Sequence, residues 1–349
     1  MVNVPVNGRN EKAVIKTQEM LSHFKSKVCM LDSGGFTILK GEEKGKQLSF
    51  DPTLPLTVSP NNVNLAPRHV IRAAIALQPD IMVALDYPIR KIKDPKDQRE
   101  EFRKKFPFNV KWAIETAKLR EKLCPHIELL IPVQCYSLQD FREFEKEIGG
   151  ISFDGFNMPV RNLKIQEIAF FLIEFWKIGI KKVHLLGTST FPVIALSAYF
   201  SNHFFERVSL DSVTWRITGE RGIYLDPHNL SRISLNDDGL KDKDRVRERC
   251  RCRVCRKVSL MDLTRYSYKG RCSSLWTHNL HAIETVCHDL QQHSKDIIDL
   301  ERFLRLRGIK EDKIDQLLKS LLATNYENFS RKRKTLASLS IQRGRRVPQ

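Results

Sequence analysis

Short aliphatic runs alternate with helical patterns along most of the chain, and this alternation constrains the fold more than any other feature. "KVCMLD" (27–32), "DIMVALD" (80–86), "HIELLIPVQ" (126–134), "GISFDGF" (150–156), "KKVHLLG" (181–187) and "RVSLD" (207–211) read as strands. Residues 66–77, 100–123, 138–148, 164–179 and 191–200 carry apolar side chains at helical spacing, with an interruption expected at Pro107. Strands separated by helices pair in parallel, and the helices cover the sheet. Five or six such units predict an α/β fold, a (β/α)8 TIM-type barrel in preference to an open sheet.

In such a barrel, functional groups sit where strands run into the following loops. Three of the strands end in an acid: Asp32, Asp86 and Asp211. A fourth ends in Gln134. Singly, each could cap a helix or shape a turn. Repeated on several strands, they mark a site. Gly187 is expected to shape a turn above it. His184 reads as a packed strand residue, and Cys135 as core.

From 228 to about 275 the rhythm fails, and the polar stretch ending in "RCRCRVC" (249–255) reads as an insertion. Cys250, Cys252 and Cys255 are too crowded for ordinary core packing, and free surface thiols would be a chemical liability. C-x-C-x-x-C suits three thiolates of a tetrahedral Zn²⁺ site. For the fourth ligand, "SLWTHNLHAIETVCHDL" (274–290) offers His278, His281, Cys287 and His288, and Cys272 lies just upstream. His278 is favoured, at the expected start of a helix near the cysteine loop. Four protein ligands make a closed, structural site. Helical patterning returns at 278–292 and 297–323.

The 349-residue chain carries a net charge of +18, which argues for a polyanionic partner, because each Lys or Arg that meets a phosphate releases a counterion. Arg161, Arg216, Arg221 and the run 90–105 are candidate phosphate contacts. The tail 331–349 holds seven basic residues and no acidic one. No apolar run reaches membrane-span length and no secretory leader is visible, so an intracellular, cytoplasmic protein without a membrane partner is expected. The eight cysteines then read as metal ligands plus strays, not as disulfides.

Taken in order, "LDSGGF" (31–36), "ALDYP" (84–88), "PVQ" (132–134), "FDGF" (153–156), "VHLLG" (183–187), "SLDSVTWR" (209–216), "CRCRVC" (250–255) and "HN" (278–279) resemble the tRNA-guanine transglycosylase superfamily. The resemblance runs from about residue 27 to 290. It implies a zinc-bearing (β/α)8 barrel that exchanges a guanine in nucleic acid for a 7-deazaguanine, with no nucleotide cofactor. It implies Asp211 as nucleophile and Asp32 as general acid/base. Phe36 would stack on the base, Asp86 would read its N–H edge, and Gln134 would make a second contact. Cys250, Cys252, Cys255 and His278 would hold zinc. The expected organisation is an extension at 1–26, a barrel at 27–330 with a zinc subdomain at about 228–290, and a basic tail at 331–349.

Two departures matter. Thr37 stands where the family's motif has an amide, and "FNMPVRN" (156–162) replaces a glycine-rich run. Glycines let backbone approach a ligand closely, and Pro159 removes a backbone donor. The chain length also leaves no room for the extra RNA-binding domains of archaeal tRNA enzymes. These departures resemble the DNA-acting branch, the DpdA-type transglycosylases, which implies DNA and 7-cyano-7-deazaguanine as substrates. The alternatives are a tRNA enzyme and a non-catalytic nucleic-acid-binding paralogue. A helper protein or a homodimer would be compatible with either enzyme.

Overall fold

Five parallel strands form the spine of the first of two compact units, in a computed structural model that describes residues 28–35, 38, 56–58, 63–235, 250–258, 263 and 273–323. This unit comprises Met1–Asn162 and Ile180–Leu186. Its strands are β1 (Met30–Leu31), β4 (Ile81–Val83), β5 (Glu128–Pro132), β6 (Gly155–Pro159) and β7 (Lys182–Leu186), paired in that order. A short antiparallel pair, β2 (Leu56–Val58) and β3 (Val63–Leu65), precedes helix α1 (Pro67–Leu77). Helices α2 (Pro95–Leu123) and α3 (Leu138–Ile148) follow β4 and β5. The expected parallel α/β arrangement is therefore present.

Register separates the two faces of this sheet. Met30, Ile81, Val83 and Leu130 form one buried apolar cluster on one face. Leu31, Met82, Leu129, Ile131 and Phe156 alternate with them and are equally buried. Phe141 of α3 meets Phe156 edge to face, with ring centroids 6.1 Å apart, so α3 covers that second face. Gly155 has no room for a side chain: an added Cβ would overlap the Lys182 carbonyl on the neighbouring strand.

Helix α2 is continuous, in contrast to the break expected at Pro107, and it starts earlier than its apolar pattern indicates. Asp94 caps it, accepting from the N–H groups of Lys96 (2.8 Å) and Asp97 (3.2 Å), and Pro95 supplies a preset first-turn φ. Pro107 is exposed and so is Arg103, whose carbonyl loses its helical partner. Water can bond that carbonyl, while buried Phe102, Phe108 and Trp112 hold the helix down on either side.

One face of α2 clamps the loop after β4. Asn109 accepts from the Tyr87 N–H (2.8 Å) and donates to the Tyr87 carbonyl (3.0 Å). Lys105, with no exposed surface, donates to the Pro88 carbonyl (3.0 Å), pairs with Glu101 (2.6 Å) and lies 4.5 Å over the Tyr87 ring. The run 90–105 is thus not a uniform phosphate-facing stripe. Lys105 serves the fold, and Arg99 pairs with Asp140 and Glu143 of α3.

The second unit comprises Leu163–Gly179 and Gly187–Gln349. It contains α4 (Ile165–Lys177), α5 (Phe191–His203), β8 (Arg207–Leu210), α6 (Thr214–Glu220), the antiparallel pair β9 (Ile223–Leu225) and β10 (Arg232–Ser234), α7 (Ser273–His293) and α8 (Ile297–Leu306). A further helix, α9, spans 311–323. The single helix expected over 297–323 is two, because Gly308 takes a left-handed φ of 66° just past the end of α8. Helix α7 starts at Ser273, so His278 lies inside it and not at its first residue. The extension 1–26, the tail 331–349 and most of the insertion fall outside the described residues.

Replacing Asn109 with Leu would strand two buried backbone groups of Tyr87. The expected cost is about 2–3 kcal/mol, read as a lower urea midpoint with an unchanged m-value.

Candidate functional site

The loop after β1 is shaped around one carboxylate. Asp86 has 6% of its surface exposed. Its Oδ1 accepts from the Ser33 hydroxyl (2.6 Å), and its Oδ2 from the Gln134 amide (2.6 Å). Gln134 is itself fixed, because its Oε1 accepts from the Ile89 N–H (3.1 Å). Ser33 Oγ in turn accepts from the Gly35 N–H (3.0 Å). Gly34 turns the chain with φ 78°, and a Cβ on Gly35 would overlap the Asp86 carboxylate and come within 2.7 Å of its backbone oxygen. Both glycines of "SGG" are therefore required by the carboxylate they wrap. Asp32 is half-buried beside them, and its Oδ1 accepts from the Ser33 N–H (2.9 Å).

Burial pushes the Asp86 carboxyl from 3.8 up to about 6. The Ser33 hydrogen bond opposes this, the nearby Asp32 charge adds to it, and the Gln134 bond opposes it again. Sequence reasoning singled out Asp32, Asp86 and Gln134, which lie together in the fold. It missed Ser33, which lies inside the quoted motif, and Asn109 and Lys105, which hold the loop carrying Asp86. Cys135 is buried, which raises its thiol well above the usual range and leaves it core, as expected. His184 is buried within β7.

In the second unit, Asp211 directly follows β8. Its Oδ1 accepts from the Gly187 N–H at 2.8 Å, and Gly187 holds φ 89° to aim that donor. Burial raises the Asp211 carboxyl above its ordinary value, and the Gly187 N–H opposes the shift. Phe36 and Thr37 lie outside the described residues.

Farther along the same unit, Cys250, Cys252, Cys255 and His278 converge, with one ligand atom from each within 4.8 Å of all the others. All four are buried. The Cys252 N–H points to Cys250 Sγ (3.4 Å) and the Cys255 N–H to Cys252 Sγ (3.3 Å), so the loop itself stabilises thiolates. His278 Nδ1 lies 3.3 Å from Cys255 Sγ, while its Nε2 meets the Leu225 carbonyl at 2.9 Å. That second bond sets the tautomer that leaves Nδ1 as the ligand atom. Cys250 is lowered by a hydrogen bond from Cys255, and Cys255 is raised by the same contact and by burial. This donor set fits a metal ion. His281, Cys287 and His288 do not join the cluster, and Cys272 is outside the described residues.

Asn279 ties this cluster to the segment after Asp211. Its Oδ1 accepts from the Leu225 N–H (2.9 Å), and its amide nitrogen reaches the Ile223 carbonyl (2.9 Å), Thr218 Oγ1 (3.0 Å) and the Trp215 carbonyl (3.2 Å). The pair "HN" thus has two tasks, one toward the cluster and one toward α6 and β9.

Residues 5–305 match the protein-family model described as queuine tRNA-ribosyltransferase (TGT). The chain belongs to that family. Its members are guanine transglycosylases, which are pentosyltransferases acting on nucleic acid, and this chain is an enzyme of that kind. None of the curated proteins searched matches it. Among the described residues, no helix is long and apolar enough to cross a membrane.

Three outcomes follow. The folded transglycosylase holds the Asp86 proton up to about pH 6, whereas an unfolded carboxyl releases it near 3.8, so the native state binds more protons in that window. The Asp86 share of stability is present below pH 3.8 and lost as pH rises through about 6. Denaturant titrations across this range are expected to show that loss in the parent protein and not in Asp86→Asn. Separately, Asn279→Ala leaves buried groups of β9 unpaired and is expected to cost about 3 kcal/mol. Cys252→Ser is expected to abolish stoichiometric metal in elemental analysis.

Proposed function

We propose that this transglycosylase exchanges guanine in DNA for a 7-deazaguanine, with 7-cyano-7-deazaguanine as the incoming base. The observation that carries the reading of a base pocket is Asp86. A buried carboxylate, fixed on both oxygens by neutral donors, is an acceptor suited to the N–H edge of a guanine-type base. Gln134 makes the second contact and Phe36 supplies the stacking face.

Exchange that retains the sugar's configuration takes two inverting displacements, as in retaining glycosidases. In the first, an Asp211 oxygen bonds the anomeric carbon, the glycosidic bond breaks, and its electrons leave with guanine. Asp32 gives the departing base a proton. In the second, the incoming base attacks the same carbon, releases the Asp211 carboxylate and returns a proton to Asp32. One glycosidic bond replaces another, so no nucleotide cofactor is required. What supports Asp211 in this role is its place at the end of β8, its aiming by Gly187, and a burial that weakens its solvation. Gly187 then shapes the substrate-binding turn.

The metal proposed for Cys250, Cys252, Cys255 and His278 is Zn²⁺. With four protein ligands it supplies folding energy and no open coordination position. The full architecture proposed is a closed (β/α)8 barrel over 27–330, with the zinc subdomain at about 228–290.

DNA is preferred over tRNA because Thr37 and the segment 156–162 resemble the DNA-acting branch, and the backbone at the end of β6 supports a changed base pocket. Pro159 has no N–H, and the Val160 N–H is spent on the Leu186 carbonyl (3.0 Å). A glycine-rich run would offer backbone donors there, so the base is held differently from the way such a run holds it. The second reading, exchange in tRNA, is favoured by the description of the matched family. The basic surface serves either polymer, with a helper protein or homodimer completing the assembly.

The test incubates the protein with 7-cyano-7-deazaguanine and either duplex DNA or tRNA, followed by digestion and mass spectrometry of nucleosides. The expected product is the deazaguanine deoxynucleoside, absent with Asp211→Ala and reduced about 10²–10⁴-fold with Asp32→Asn. Ribonucleoside alone would replace DNA by tRNA.

A further inference from the structure

Strand β6 carries a buried amide that none of the described residues bonds. Asn157 has 0% of its surface exposed, and neither its Oδ1 nor its Nδ2 has a hydrogen-bond partner among the described residues. An interior carboxamide left this way costs about 1–3 kcal/mol for each stranded group, so a sequence keeps one where something else will bond it.

Register locates the group. Asn157 pairs with Pro132 on β5 and His184 on β7. Phe156, its neighbour in the chain, faces α3, so Asn157 points to the opposite face, the one carrying Val83 and Leu130. Gln134 follows Pro132 by two residues, and the ladder continues between them through the Val133 N–H to the Asn157 carbonyl (2.7 Å). Asn157 therefore lies one layer below Gln134, about 6.6 Å along the strand direction at ~3.3 Å per residue. Gln134 is bonded to Asp86, so the unspent amide sits beneath the Asp86–Gln134 pair. One bicyclic base can span that interval.

Resting on the base-exchange reading above, we propose that Asn157 is a base-binding, specificity-determining residue, hydrogen-bonding the edge that bears the C6 oxygen and the 7-substituent. The chemistry divides cleanly. Asp86 accepts, so it takes the ring N–H and the 2-amino group. The opposite edge presents an oxygen acceptor and a variable substituent, and a carboxamide has both a donor and an acceptor for them. At the end of β6 neither Pro159, which lacks an N–H, nor Val160, whose N–H is spent on the Leu186 carbonyl, supplies the donor.

The experiment measures binding of 7-deazaguanine and 7-cyano-7-deazaguanine by calorimetry, with melting temperatures, for the parent protein, Asp86→Asn, Asn157→Leu and Asn157→Ala. The near-isosteric Asn157→Leu is expected to melt higher without base, because it removes stranded polar atoms, and to bind at least one base about tenfold more weakly, roughly one hydrogen bond's worth. Asn157→Ala, which cannot overpack the site, is expected to weaken the same base, and it decides the matter if the leucine variant does not fold. A change in the ratio of the two affinities assigns the contact to the 7-substituent, and equal weakening assigns it to the C6 oxygen. Normal binding by both Asn157 variants, with binding lost in Asp86→Asn, would overturn this inference alone. Failure of the parent protein to bind either base would overturn the base pocket and this inference with it.

Discussion

A carboxylate buried just past the end of β4 is the constraint around which the first unit is arranged. Asp86 cannot stay in place without donors on both oxygens, and the donors come from two other strands' loops, through Ser33 and Gln134. Each donor then needs its own anchor. Ser33 takes the Gly35 N–H, Gln134 takes the Ile89 N–H, and the loop between Asp86 and Ile89 is held by Asn109 and Lys105 from α2. The glycines of "DSGGF" follow from the same demand, since a side chain at Gly35 would occupy the carboxylate's space. What reads in the sequence as a catalytic signature is, in large part, the packaging of one acidic side chain.

The second unit depends on a different economy. Between β8 and the cysteine loop its described residues form only short strands and the seven-residue helix α6, too little to bury a core of their own. The Cys/His cluster and Asn279 tie this segment to α7, and the three cysteines pack with Tyr224, Ile233, Leu235 and Leu275. His278 spends one nitrogen on the cluster and the other on the Leu225 carbonyl, and Asn279 takes the Leu225 N–H. Adjacent residues of α7 thus grip both polar groups of one residue of β9. Tyr224, stacked on the His278 ring with centroids 3.8 Å apart, closes the packing. A metal ion here would stabilise the segment that follows Asp211 without touching substrate.

Much of this was legible because it is periodic or chemically exclusive. The β/α alternation gave the parallel sheet, and helix α3 matches its apolar pattern residue for residue, because Ser137 caps it and Phe141, Phe144 and Ile148 mark its buried face. The cysteine loop was legible because few arrangements tolerate three crowded thiols. Less was visible where a tertiary contact overrides a local rule. Pro107 signals a break, but the aromatic side chains around it pack well enough to keep α2 whole. Lys105 looks like one more cation in a basic run, and only the fold shows it inside. Asn157 gave no signal at all: a single polar residue in "FDGFNMP" is ordinary in sequence, and its isolation is a property of the sheet face it lands on.

Burial raises both Asp86 and Asp211, yet their surroundings suit them to different work. Asp86 has a side-chain donor on each oxygen, so its geometry is fixed and its electron pairs are committed to acceptance. Asp211 is oriented by a backbone N–H aimed by a glycine, a contact that sets direction while leaving the carboxylate in a partly desolvated setting. Burial dominates at both carboxyls, so proton affinity does not tell them apart; what differs is how each is held, Asp86 by side chains on both oxygens and Asp211 by the Gly187 N–H on Oδ1. Under the proposed mechanism that difference in anchoring accompanies the division between the residue that reads the base and the one that attacks the sugar. A purine edge needs a stationary acceptor, and two side-chain donors from separate loops are what keep the Asp86 carboxylate stationary inside the fold.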